Sequence, residues 1–207
     1  KLSEALDART SEAVALVSLG RVAHALGDYA RASALCRRSV AVCEEIRHRW
    51  NKAFALMHLG RACHAVGEYA KARHHYQSSL TESQEIGSRW ITASVLRQMG
   101  DVHLKTGDSE SAGHALRRAL KIAAAIQASP LALDIIAGVA AVEAARGEQA
   151  RALRHARFVV QQPIAEYETR ETASALLAEL EPENEAGIDA GSDDLTLAAV
   201  IDDILGA

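Results

Sequence analysis

Apolar residues recur along this chain at helical spacing and are interrupted at regular intervals by a glycine followed by an acid. Leu16, Leu19 and Ala23 precede the pair Gly27-Asp28, and Leu35, Ser39 and Val42 follow it. Spacings of three and four put each set on one face of a helix, so the segment reads as two helices joined by a tight turn. The figure returns forty residues later. Gly20-Arg21 leads to Gly27-Asp28-Tyr29-Ala30, Gly60-Arg61 to Gly67-Glu68-Tyr69-Ala70, Gly100-Asp101 to Gly107-Asp108, and Ala140 to Gly147-Glu148. Leu19, Leu59, Met99 and Val139 stay apolar, while Ala32, Ala72, Ala112 and Ala152 stay alanine. Ile46, Ile86 and Ile126 close the long units, and Trp50, Trp90 and Pro130 open the following ones. The pattern predicts an all-α chain of repeated helical hairpins.

The residues at the turns fit that reading. Gly27, Gly67, Gly107 and Gly147 can take the left-handed backbone that ends a helix, and the acid that follows sets a negative charge at the start of the next one. Gly20, Gly60 and Gly100 fall in mid-helix, where each costs about 1 kcal/mol relative to alanine. Close approach of the partner helix offsets that cost.

The series Leu16-x-x-Leu19-Gly20 with Gly27-Asp28-Tyr29-x-x-Ala32, repeated as Leu56-x-x-Leu59-Gly60 with Gly67-Glu68-Tyr69-x-x-Ala72, resembles the tetratricopeptide repeat. The period exceeds the usual value of about 34 and is similar to the long-period variant of bacterial STAND-class and maltose-regulator-like signalling proteins and of kinesin light chains. The resemblance implies a right-handed α-solenoid over residues 1–180. It also implies a non-catalytic interaction module of a larger cytoplasmic bacterial signalling protein, a scaffold or sensor.

Register sets the expected boundaries. Lys1–Leu6 aligns with Ala41–Ile46, so residues 1–9 read as the end of a preceding repeat and the chain as a piece of a longer array. Repeats follow at 10–49, 50–89, 90–129 and 130–162, with a closing helix at 163–180. The fourth repeat departs from the pattern: Glu143, like His103, stands where Ala23 and Cys63 stand. Residues 181–192 read as an acidic linker too poor in apolar residues to pack. Residues 193–207 read as an amphipathic helix, with Leu197, Val200, Ile201, Ile204 and Leu205 on one stripe. That stripe implies a homo-oligomeric or intramolecular contact, and self-assembly through it and the solenoid ends is the alternative function.

Charge and composition narrow the class further. The net charge is -4, yet Glu181 to the end holds eight acids and no Lys or Arg; setting those eight aside leaves the body at +4. A body so mildly basic is a poor nucleic-acid binder. With 49% hydrophobic but only 4% aromatic residues, the core is expected to be built from alanine and small aliphatics. No apolar run reaches the roughly 18 residues of a membrane span. Three cysteines form no disulfide framework, which points to a reducing compartment. There is no GxSxG, P-loop or HExxH motif, and the histidines lack metal-site spacing, so neither catalysis, cofactor nor metal is expected.

In the tetratricopeptide family the first helices line a concave, peptide-binding face. Carried over by register, the resemblance assigns Val14, Val17, Arg21 and His24 in repeat one and Phe54, Met57, Arg61 and His64 in repeat two. In repeat three it assigns Ser94, Arg97, Asp101 and Lys105. Arg21, Arg61, Arg97 and Lys105 with the two histidines make a basic strip beside an apolar patch, suited to a protein or peptide partner bearing carboxylates.

Overall fold

Two helices of 17 residues and two turns of three account for the forty-residue period. The computed structural model describes residues 2–181 and 195–206, and every regular element among them is a helix. In order these are α1 (Leu2–Ala25), α2 (Tyr29–Glu45), α3 (Arg49–Ala65), α4 (Tyr69–Glu85), α5 (Arg89–Lys105), α6 (Ser109–Ala125), α7 (Ser129–Ala145), α8 (Gln149–Gln161), α9 (Tyr167–Leu180) and α10 (Leu197–Leu205). Helices α2 to α7 each have 17 residues, about 25 Å of helix.

The middle residue of each three-residue turn has a left-handed backbone, and it recurs every twenty residues: Gly27, Arg47, Gly67, Gly87, Gly107, Gln127 and Gly147, with φ between 54° and 83°. The next residue donates its N–H to the carbonyl five positions back, as from Asp28 to Ala23 at 2.9 Å and from His48 to Cys43 at 2.9 Å. This bond satisfies a carbonyl that the helix end leaves orphaned. Sequence pattern exposes this device only where glycine fills it. The acids expected after the glycines divide by length: Asp28 and Asp108 accept from the N–H three residues on, at 3.0 and 2.9 Å. Glu68 and Glu148, one methylene longer, instead bond Lys71 at 2.7 Å and Arg151 at 3.1 Å.

Helix α1 runs unbroken across the boundary that register set between residues 9 and 10, because no residue there takes the left-handed backbone that turns the chain elsewhere. The helix placed at 163–180 starts at Tyr167. Arg170 Nη2 holds the intervening turn by donating to the carbonyls of Gln162, Pro163 and Ala165 at 3.2–3.3 Å. The expected linker, apart from Glu181, lies outside the described residues, as do residues 193–194.

The chain divides into two compact units, Lys1–Val102 and His103–Ala207, with the division inside α5. In the first, helices meet over small residues. A Cβ on Gly20 would stand 2.8 Å from Cys36 Sγ, and one on Gly60 would stand 2.5 Å from the ring of the fully buried Tyr76. Close approach also lets Ser39 Oγ donate to the Ala13 carbonyl at 2.8 Å and Ser79 Oγ to the Ala53 carbonyl at 2.7 Å, a bond repeated forty residues apart. The second unit is filled by aliphatics, with Leu116, Leu120, Leu133, Ile135, Ile136 and Val159 all fully buried. No helix among the described residues is long and apolar enough to cross a membrane.

Candidate functional site

Helices α1, α3 and α5 bring several of the assigned residues together in the first unit. Arg61, Arg21 and His24 lie close enough to the buried His58 that, after burial itself, they are the main charges acting on it. Desolvation and those cations hold the His58 pKa at about 3, so its imidazole is neutral at pH 7. Around the neighbouring Tyr76 stand Arg61, Asp101 and Arg97, and burial pushes the Tyr76 phenol far up. Three buried polar atoms in this region, His58 Nε2, Tyr76 Oη and Ser94 Oγ, have no hydrogen-bond partner among the described residues. Buried polar groups are normally paired, which makes this cluster distinctive.

Residue by residue, the strip is less uniform than its register. Arg21 is exposed, and Arg61, His24 and His64 are partly exposed. His24 packs edge-on against Tyr29, and His64 against Tyr69. Arg97 is buried and ion-paired with Asp101 one turn on, so it neutralises an acid of its own helix. Lys105 is exposed and belongs to the second unit. Of the apolar members, Val14 is exposed and Phe54 partly so, whereas Val17 and Met57 are core.

Sequence reasoning missed an aromatic patch beside them. Trp50 and Trp90, which open the second and third repeats, are 45% and 44% exposed. Phe54 stacks on Trp50 at 5.3 Å, lies 6.2 Å from Trp90 and meets the edge of His58 at 4.6 Å. The signal was present in the forty-residue recurrence of tryptophan at the start of a first helix. What it could not show is that the two indoles keep a free face.

The thiols offer no chemistry. Cys36, Cys43 and Cys63 are free and buried, and burial pushes the Cys36 thiol up to about 11 and raises the other two. A thiol kept protonated is a poor nucleophile and metal ligand.

The family follows from a comparison of sequence patterns: the model of the tetratricopeptide repeat matches residues 11–85 and 51–125, more than half of the chain. The chain is a tetratricopeptide-repeat protein. Among solved structures, BtubC (BKLC) from P. vanneervenii is similar at a TM-score of 0.63 and 14% identity, over 85% of this chain and 83% of that one. A kinesin light chain-type protein of nearly identical TPR-like repeats from Podosopora anserina is similar at 0.62 and 18%, over 83% and 86%. At such identities the likeness is one of fold. The chain matches none of the curated proteins. Tetratricopeptide hairpins generally serve as protein interaction modules; the aromatic patch with His58 and Ser94 lies on the first helices of such hairpins, and Tyr76 completes the polar cluster from the second helix α4.

Proposed function

We propose that the first unit binds a protein or peptide on the concave face formed by its first helices, taking an apolar side chain against Trp50, Phe54 and Trp90 and a carboxylate near Arg21 and Arg61. The observation that carries this reading is the pair of half-exposed indoles flanking Phe54, set beside cations. Aromatic residues and arginine dominate the binding energy of protein interfaces, and an arginine grips a carboxylate with paired hydrogen bonds. The parent context proposed is a non-catalytic sensor or scaffold of a cytoplasmic bacterial signalling protein. Panning a peptide library against the chain tests it. Selected ligands should combine an aromatic or aliphatic residue with acids and lose at least about tenfold in affinity to Trp90→Ala or to Arg21→Glu with Arg61→Glu. Ligands indifferent to all three changes sink the reading. Arg97 is left alone, because reversing a buried, paired charge would report on folding instead.

A second reading, assembly through the α1 end, is favoured by one observation. Leu19 and Val22 are 53% and 56% exposed, while Leu59 and Ala62 at the same register are 3% and 1%. Light scattering over a concentration series decides it: a monomer at all concentrations removes it.

A further inference from the structure

The second unit holds a helix that sequence pattern could not place. Val200 and Ile204 of α10 are buried, and α10 lies on α6. Ile204 enters a recess lined by Gly113, Arg117, Val139, Val142 and Glu143. Along the next edge Asp203 faces α8, with its Oδ2 3.4 Å from His155 Nε2 and 3.9 Å from Arg154 Nη2. His155 Nδ1 is 2.7 Å from Glu143 Oε2, and Glu143 Oε1 is 3.1 Å from Arg151 Nη2. His155 and Glu143 are 1% and 4% exposed. The seat therefore pairs an apolar recess with a buried polar relay that ends on a carboxylate of the seated helix. Glu143 is the residue that broke the repeat pattern, and here it anchors the relay.

The occupant underfills its seat. Between α10 and the turn from α6 to α7 a cleft of about 450 Å³ stays open, lined on one side by Ala123, Ala124, Ala128 and Ala132 and on the other by Leu197, Ala198 and Ile201. A helix with a larger side chain at the place of Ala198 would fill that cleft while keeping the acid at the place of Asp203. Arg117, Arg146, Arg151 and Arg154 flank the seat against two acids, Glu143 and Glu148, both paired with Arg151, so the remaining cations favour acidic helices over basic ones.

We infer that the α6–α8 seat is a docking site for an acidic amphipathic helix of a partner protein, and that α10 is a resident that such a helix displaces. The site is separate from the first-helix surface of the first unit and stands or falls without it. The probes are two labelled synthetic peptides, residues 195–207 as they stand and the same with Ala198→Leu. They are titrated into the full chain and into its Val200→Glu, Ile204→Glu variant, whose own α10 is unseated while the seat is untouched. The Ala198→Leu peptide should bind the unseated variant about tenfold or more tighter than the native chain, because no resident competes, and tighter than the unaltered peptide. Arg154→Glu in the unseated variant should weaken it several-fold. Equal binding to native and unseated chains, or none to the unseated chain, overturns the inference. Hydrogen exchange on the native chain alone gives an independent reading: added Ala198→Leu peptide should speed exchange in 197–205 while leaving 113–124 protected, and no change in 197–205 counts against it. A native chain that dimerises and loses the dimer on unseating assigns the seat to a second copy and overturns the partner version.

Discussion

Each unit buries a histidine, and the two are set in opposite surroundings. His58 in the first unit faces Arg61, Arg21 and His24, stays neutral, and leaves Nε2 without a partner among the described residues. His155 in the second has a carboxylate at each nitrogen, Glu143 at 2.7 Å and Asp203 at 3.4 Å. Both rings are buried; what faces them differs. An unpaired polar group beneath an aromatic patch suits a surface that receives something, whereas a ring with a carboxylate at each nitrogen suits a joint that holds a helix in place. The backbones differ likewise. The first unit leaves no room for a Cβ at Gly20 or Gly60, and the second fills its core with leucine and isoleucine beside alanine.

The contrast can be broken most forcefully at Glu143. Removing one partner of a buried ionic cluster leaves the rest uncompensated, so Glu143→Ala should cost the second unit about 3–5 kcal/mol. Hydrogen exchange resolved by unit would show this as lost protection in α7, α8 and α10 with the first unit unchanged; equal loss in both would erase the contrast. At Gly60 the first unit should fail by overpacking. Gly60→Ala is expected to cost about 2–3 kcal/mol by chemical denaturation, and Tyr76→Leu should recover most of it, leucine being the residue at the same register in α6. Full cost in the double variant would mean that Tyr76 is not what the new methyl meets.

The histidine contrast itself sharpens with pH. The folded His58 pKa is lowered, so its unfolded form takes up a proton first, below about 6.5; stability is complete above that value and falls as acid is added towards 3. By pH 5 this loss is about 2 kcal/mol. His58→Gln should flatten the fall between pH 7 and pH 5, and a variant as acid-sensitive as the parent would remove His58 as its source. The smallest effect is expected at the left-handed turn positions without glycine. Arg47→Gly in the first unit and Gln127→Gly in the second should each raise stability by up to about 1 kcal/mol, measured by thermal denaturation.

Much of this architecture could be read from residue order. The glycines at 27, 67, 107 and 147 marked real turns, and the alanines at 32, 72, 112 and 152 are all buried at helix contacts, because turn geometry and close approach each admit few residue types. The turns at Arg47 and Gln127 carried no such mark: a left-handed backbone tolerates other residues at modest cost, and the register of the neighbouring hairpins imposes it. The candidate surface was half legible. Register named Arg21, Arg61 and Phe54, but it could not separate them from Arg97, Val17 and Met57, which share the first-helix pattern and are buried. Nor did it find His58 or Tyr76, and it named Ser94 only as one more concave position; the significance of all three lies in the hydrogen-bond partners they lack among the described residues.

By itself the sequence determined what local physics controls: helices by apolar spacing, turns by backbone freedom, hairpins by a forty-residue period, and an amphipathic helix at the C-terminal end. Only tertiary structure decided what faces what. Two histidines became a neutral ring with no partner for Nε2 among the described residues and a ring set between two carboxylates, because desolvation and charge act through space and not along the sequence. The same holds for α10: its stripe announced that something would cover it, and the recess between α6 and α7, with the acid-binding edge of α8, decided where.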